Sequence, residues 1–234
     1  MTPRDATLTT RARPGARLPL RLRVARVLVR VLFGALFRIR IEGEPPTTGP
    51  YLVAVNHQGW ADAFLLLALF PTRPRLAFLG DRDAVTHVWW KRAVLWFFEG
   101  LVVRVDRGRR ADVAAIDAAV RALDAGRALV VFAEGRVSRE EGRLGEFHRG
   151  IGYLALRARV PILPVWLRGT AELYLGRELV VRVGRPRDPG DAAPTKDATQ
   201  ELARAAHDDV AALASPWVER APAVKHWRWL TDIL

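Results

Sequence analysis

Five consecutive apolar residues, Tyr51-Leu52-Val53-Ala54-Val55, run into Asn56-His57-Gln58-Gly59-Trp60-Ala61-Asp62, and a second apolar run, Ala63 to Leu69, leaves it. A strand that is apolar at every position is covered on both faces, which places it inside a sheet. The glycine and its polar neighbours mark a turn, and the second run reads as the start of a helix. Strand, turn and helix thus form the unit around which the chain must fold, with the polar residues at its bend. In a continuous helix, residues five apart point about 140° away from each other. A turn at Gln58-Gly59, with Asp62 in the first helical turn, instead lets that carboxylate fold back onto the His57 ring. A carboxylate on one ring nitrogen fixes the tautomer and leaves the other nitrogen as a base near neutral pH.

The same alternation continues. Arg75–Leu79, Leu101–Val105, Ala128–Phe132, Pro161–Leu167 and Glu178–Val183 read as strands, and Ile39-Arg40-Ile41-Glu42 alternates like one. Residues 111–125 predict a helix with Val113, Ile116, Val120 and Leu123 on its inner face and Gly126 at its end. Phe147 to Arg157 reads as a helix in spite of Gly150 and Gly152. Asp197 and Gln200 form a capping box for another, carrying Leu202, Ala206, Val210 and Leu213. Residues 84–98 make a short aromatic helix containing Trp89, Trp90 and Trp96. No internal repeat interrupts the series. The expected class is α/β: a single mixed-sheet domain flanked by helices.

The net charge of +12 is unevenly placed. Residues 1–40 hold ten arginines and one acid, Asp5, while the rest of the chain is close to balanced. Residues 1–16 read as a disordered basic tail, residues 17–40 as an amphipathic membrane-associating helix, and residues 41–234 as the folded domain. The longest unbroken apolar stretch of the helix, Val31 to Phe37, is seven residues, against the about 20 needed to span a bilayer. Arginine breaks the stretch and no cleavage site follows, so a signal peptide fits poorly. The pattern suits the headgroup boundary, with apolar side chains in the acyl layer and guanidinium groups among phosphates. A helix packed on the domain core with a basic outer face is the competing reading. Trp217, Trp227 and Trp229, with Arg220, Lys225 and Arg228, form a second interfacial segment near the C-terminus.

There are no cysteines, so thiolate nucleophiles, disulfides and Cys-ligated metal sites are excluded. Neither serine, Ser138 or Ser215, lies in a Gly-x-Ser-x-Gly setting. The remaining candidate chemistry sits at strand ends: His57 with Asp62, Asp106-Arg107, and Glu134-Gly135-Arg136. His57 is a base that can act on a substrate group, and arginine's planar fork pairs with phosphate oxygens. Gly135 permits close approach of the backbone. No metal ligand set is expected.

In these blocks the chain resembles the lysophospholipid and glycerophosphate acyltransferase superfamily, and the 1-acylglycerol-3-phosphate acyltransferases in particular. Asn56 to Asp62 matches the family's His-x4-Asp (HX4D) motif. Gly100 to Arg107, Phe132 to Ser138 and Val160 to Val165 are similar to its later blocks, in order. The resemblance implies acyl transfer from coenzyme A or acyl carrier protein thioester to a glycerol hydroxyl, forming phosphatidic acid in phospholipid biosynthesis. It implies His57 as general base and Asp62 as its orienting partner, and it implies that no bound cofactor is needed. It assigns acceptor binding to Asn56, Gly59, Arg107, Glu134, Gly135 and Arg136, and places Pro161 near the acyl chain. Implied partners are a lysophospholipid, acyl-CoA or acyl carrier protein, and an anionic membrane surface, with the protein peripheral or monotopic on the cytoplasmic face of the cell membrane. Ala133 stands where the family has proline, and Arg136 follows Gly135 directly, a register found in some lysophosphatidylethanolamine-acylating members.

Other readings remain open at this level. The acceptor could be another lysophospholipid, an aminolipid or a glycolipid. The basic arm could serve a nucleic-acid-binding module, although it lacks a stacking platform. A lipid-binding scaffold without catalysis would share the same composition.

Overall fold

The computed structural model describes residues 19–81, 102–105, 109–214 and 222–233. In order these form α1 (Leu20–Leu36), β1 (Arg38–Glu42), β2 (Tyr51–Val55), α2 (Ala61–Leu69), β3 (Leu76–Asp81), β4 (Val102–Val105), α3 (Arg109–Asp124), β5 (Ala128–Phe132), α4 (Gly150–Ala158), β6 (Ile162–Arg168), β7 (Glu178–Val183), α5 (Lys196–Leu213) and a C-terminal 3-10 turn (Arg228–Asp232). The tail expected over 1–16 and the aromatic helix expected over 84–98 lie outside the described residues, as do Arg107, Trp217 and Arg220.

The strands make one seven-stranded sheet in the order β1-β7-β6-β2-β5-β3-β4. The fully apolar β2 is central and buried at all five positions, parallel to β5 on one side and β6 on the other. Strand β7 runs antiparallel to β6 and parallel to β1, which makes the sheet mixed. The carboxyl ends of β6, β2, β5, β3 and β4 therefore share one edge, and the loops that leave it carry the polar motifs.

Alternation along β2 divides the core into two layers. Tyr51, Val53 and Val55 pack with Leu65 and Leu66 of α2 and with Leu22 and Phe33 of α1. Leu52 and Ala54 pack with Ala119 and Leu123 of α3, Leu154 and Ala155 of α4, and Ala203 and Val210 of α5.

Helix α1 has two faces, one packed on the domain core and one open. Leu22, Ala25 and Phe33 are buried, while Leu20, Val24, Val27, Leu28, Val31 and Leu32 are exposed. Arg26 turns inward and donates to the Phe70 carbonyl at the end of α2, 2.6 Å away, where the helix dipole favours a cation. A boundary at residue 40 falls inside β1, so the helix and the domain form one folded unit through Phe37 and the edge strand.

One other expectation is corrected. The inner face of α3 consists of Ala115, Ala119, Ala122 and Leu123, with Ile116 and Val120 half-buried and Val113 exposed. Small side chains bring that helix close to the sheet, and hydrophobicity ranking alone puts valine there instead. Gly152, which reads as a helix breaker, lies where α4 meets α5: a Cβ there would stand 2.1 Å from the Thr199 carbonyl oxygen.

Glycine in a helix costs about 1 kcal/mol relative to alanine, so an alanine with room is stabilising. Gly150 has nothing within 4 Å of its Cβ position, whereas Gly152 meets backbone. Gly150→Ala is expected to raise the denaturant midpoint slightly. Gly152→Ala is expected to lower stability by about 1–3 kcal/mol, because the overlap exceeds the helix gain. Urea unfolding of the two variants beside wild type checks the opposite signs.

Candidate active site

Where β2 ends, the chain bends through Gln58 and Gly59 and starts α2 at Ala61, with Asp62 fully buried in its first turn. One carboxylate oxygen of Asp62, Oδ2, collects three hydrogen bonds. It accepts from the Gln58 backbone N–H at 2.7 Å, from the Gly59 N–H at 2.9 Å, and pairs with His57 Nδ1 at 2.7 Å. Its other oxygen, Oδ1, has no hydrogen-bond partner among the described residues. A carboxylate at Nδ1 selects the tautomer that carries its proton there, which leaves Nε2 with a lone pair. The ring stacks on Phe132, the last residue of β5, with centroids 4.0 Å apart and planes 21° from parallel. Both the tautomer and the plane of the imidazole are thereby fixed, and the side chain keeps 23% of its exposure.

The loop after β5 grips the same residue by its backbone. Glu134, buried, accepts from the His57 N–H through Oε1 at 3.0 Å and from the Gly145 N–H through Oε2 at 2.8 Å. The Ser138 N–H donates to the His57 carbonyl at 2.7 Å. Beyond the register Val55–Phe132, the two loops thus continue to hold each other. Glu134 faces the protein backbone in this arrangement.

Asn56 is likewise part of the frame. It is fully buried, donating from Nδ2 to the Leu167 carbonyl at 2.9 Å and accepting from the Leu167 N–H at 2.7 Å. This pins the end of β2 to β6 and leaves no face of the amide open to solvent. Gly59 sits where a Cβ would lie 2.8 Å from the Thr170 carbonyl oxygen, so only glycine lets the two loops meet.

Gly135 takes a left-handed φ of +66° and donates its N–H to the Phe132 carbonyl within the turn. Its Cβ position would touch the His148 ring at 2.8 Å, so His148 lies directly over this loop. Arg136 is exposed beside them. Pro161 is placed differently from the sequence expectation. Its carbonyl accepts from the Leu52 N–H at the start of β2, and Val165, four residues on, pairs with Val55. At about 3.3 Å per residue, Pro161 lies some ~13 Å below the end of β2, on the edge of the sheet opposite His57. Proline suits the first position of a strand, where no ladder donor is lost.

A set of residues that the motifs do not indicate braces the bend. The buried Gln58 side chain donates to Glu141 at 3.3 Å and accepts from the Thr170 hydroxyl at 3.2 Å. Glu141 also accepts from the Gly169 N–H at 3.0 Å and from Arg177 at 3.2 Å, and Arg177 is 98% buried. The path Arg177–Glu141–Gln58 thus ends on the residue whose backbone N–H holds Asp62. Beyond Glu141 and Arg177 lies a cavity of about 760 Å³ walled by Arg139, Glu172, Arg228 and Trp229; His57 does not line it.

Removing one member of a buried ion pair typically costs about 3–5 kcal/mol, while replacing both by apolar groups restores much of it. Glu141→Leu is expected to destabilise the fold by about 3 kcal/mol. The double variant Glu141→Leu/Arg177→Met is expected to regain most of that stability yet stay at least ~10-fold slower, since neither side chain can hold Gln58. Thermal melts paired with single-turnover assays separate the two effects.

Comparison with known proteins agrees with this arrangement. The Acyltransferase family model matches residues 38–168, more than half of the chain, from the start of β1 to the end of β6. Among curated relatives, 1-acyl-sn-glycerol-3-phosphate acyltransferase alpha of Bos taurus is 27% identical over 166 residues, 70% of this chain and 56% of that protein. The Cocos nucifera 1-acyl-sn-glycerol-3-phosphate acyltransferase is 31% identical, over 62% of this chain and 46% of its own. The chain thus spans about half the length of the curated relatives it matches. The crystal structure of the 1-acyl-sn-glycerophosphate (LPA) acyltransferase of Thermotoga maritima superposes with a TM-score of 0.65 at 23% identity, covering 85% of this chain and 81% of that one, a likeness of fold. With the His-x4-Asp bend, the parallel core around β2 and the matched span in agreement, the chain belongs to the Acyltransferase family.

Proposed function

We propose that this protein is an O-acyltransferase that moves a fatty acyl group from acyl-CoA or acyl carrier protein to the free hydroxyl of 1-acylglycerol-3-phosphate, forming phosphatidic acid. The observation that carries this reading is the imidazole of His57, oriented by a buried carboxylate and stacked in place with Nε2 unengaged by the described residues. The relatives named as 1-acyl-sn-glycerol-3-phosphate acyltransferases support the choice of acceptor.

In this mechanism Nε2 takes the proton of the acceptor hydroxyl as its oxygen bonds to the thioester carbonyl carbon. The carbon–sulfur bond then breaks, and the proton passes to the departing thiolate. Asp62 stabilises the imidazolium formed in between, and its two backbone donors keep it from following the proton. No enzyme nucleophile takes part, in keeping with the absence of cysteine. General base catalysis contributes about 10²–10⁴-fold, and holding the two substrates together supplies much of the rest. Arg136 binds the acceptor phosphate from the loop after β5, Arg107 joins it, and the left-handed turn at Gly135 presents Arg136. Glu134, Asn56 and Gly59 serve that site by shaping the loops. The outer face of α1 lies on the anionic inner leaflet of the cell membrane, where the lysolipid acceptor is found; none of the described helices is long and apolar enough to cross a membrane.

Purified protein given labelled acyl thioester and a panel of lysolipids tests the assignment, with products read by mass spectrometry. Phosphatidic acid is the expected main product. An equal or greater yield from lysophosphatidylethanolamine transfers the same chemistry to another headgroup. His57→Ala is expected to lower turnover by at least ~10²-fold while the protein stays folded, as its circular-dichroism spectrum checks. Asp62→Asn should cost about 10³–10⁴-fold through the wrong tautomer. Arg136→Ala should raise KM for the phosphate-bearing acceptor about 10-fold or more while sparing kcat. Turnover at the wild-type rate in His57→Ala would remove the base from the mechanism.

A further inference from the structure

Residues 222–233 carry large apolar side chains that the fold leaves in the open. Val224 is 62% exposed, Trp227 50% and Trp229 63%, in a segment that is otherwise firmly fastened. Leu230 enters the core, and the Thr231 hydroxyl both accepts from the Leu173 N–H and donates to its carbonyl. Lys225 and Arg228 both bind Glu172, at 2.5 and 2.6 Å, and Arg139 pairs with Asp232. Trp227 takes a left-handed φ of +61°, a conformation that a bulky residue adopts only when its surroundings impose it. A segment tied down at so many points, with backbone strain at the residue it displays, holds its tryptophans outward as a fixed feature.

Two contacts join this segment to α1. The Leu175 N–H donates to the His226 carbonyl, and the adjoining Gly176 N–H donates to the Leu36 carbonyl at the end of α1. Leu175 itself is exposed between them. A third contact reaches the catalytic bend: Trp60, within the His-x4-Asp motif, donates its indole N–H to the Leu230 carbonyl at 2.9 Å and meets Phe33 of α1 edge-on at 6.2 Å.

Resting on the membrane reading of α1 given above, we infer that Val224, Trp227 and Trp229 dock on the same lipid surface as that helix and hold the catalytic bend at a fixed height above it. The occupant is a bilayer containing anionic lipid. The N-terminal stretch carries ten arginines against one acid, and Arg23 and Arg30 are exposed on α1. Tryptophan, with an apolar body and a polar edge, is suited to the boundary between headgroups and acyl chains. The two elements divide the work. Lys225 and Arg228 are engaged by Glu172, so the C-terminal segment contributes aromatic area, while α1 contributes charge. Through Trp60 and Leu230, attachment at the C-terminal segment fixes where His57 stands relative to the lipid.

The test uses the full chain, vesicles of phosphatidylcholine with one quarter phosphatidylglycerol, and the variant Trp227→Ser/Trp229→Ser. Wild type is expected to sediment with the vesicles, and the variant to bind at least ~10-fold more weakly at low and high salt alike. Arg23→Gln/Arg30→Gln is expected to lose only the salt-sensitive part of binding. Turnover of vesicle-embedded acceptor should fall with the tryptophans, while turnover of a short-chain, water-soluble lysolipid stays at the wild-type level. If wild type binds vesicles and the tryptophan variant binds equally well, the inference is overturned and the membrane reading of α1 survives. If wild type does not bind, both fall. Loss of activity on the soluble acceptor would make the tryptophans structural. Self-association of wild type without vesicles, abolished in the variant, would make the surface a contact between two copies of the chain.

Discussion

A single oxygen, Asp62 Oδ2, determines the geometry of the site. Three donors converge on it, two from the backbone of the bend and one from the imidazole. The backbone donors make the carboxylate part of the turn, so the partner of His57 is set by the same bonds that shape the chain. A catalytic carboxylate on a mobile side chain would pay rotamer entropy whenever it met the ring. Here that ordering is complete when the domain folds. Fold stability and the orientation of His57 are thereby joined: whatever loosens Gln58 or Gly59 also releases Asp62.

The rest of the sheet edge can be understood as support for this bend. Asn56 fastens it to β6, Glu134 and Ser138 fasten it to the loop after β5, and Glu141 with Arg177 holds Gln58 from below. Each of these uses groups that would otherwise be buried without partners. An unsatisfied buried polar group costs about 1–3 kcal/mol, so such a frame is stable only when every member is in place. Support of this kind suits the proposed acyl transfer, which uses no enzyme nucleophile. The base must be correctly placed for a reaction between two bound molecules, and small displacements are expensive.

The parts that could be read from the sequence were those governed by local pattern. Strand β2 announces itself by five apolar residues in a row, and the His57–Asp62 contact follows from a turn between residues five apart. The resemblance to a known family added the order of the blocks. What could not be read depends on partners distant in the chain. Glu141 reaches Gln58 across 83 positions and Arg177 across 36, and nothing near Glu141 distinguishes it from a surface acid. The location of Pro161 depends on strand register and direction, which a strand's own residues do not encode; the motif containing it runs toward the site, but the proline lies at its far end. The alanine face of α3 reflects the distance between helix and sheet, a property of the packed structure. A motif identifies which residues belong together, and only the fold tells which of them face the ligand and which face the backbone.

That distinction bears on how specificity can change within this architecture. Asn56, Gly59 and Glu134 lie in the conspicuous blocks, yet each has its functional group or its close contact turned toward the chain itself. Substituting them would first disturb the placement of His57. Arg136 and His148, by contrast, are exposed at the end of β5 and are held by few of the bonds that fix His57. In the proposed reaction, a different acceptor headgroup would meet these side chains without disturbing the imidazole. The sheet edge therefore separates a rigid half, in which most polar side-chain atoms are bonded to the chain itself, from an open half, where the proposed reaction would receive its acceptor.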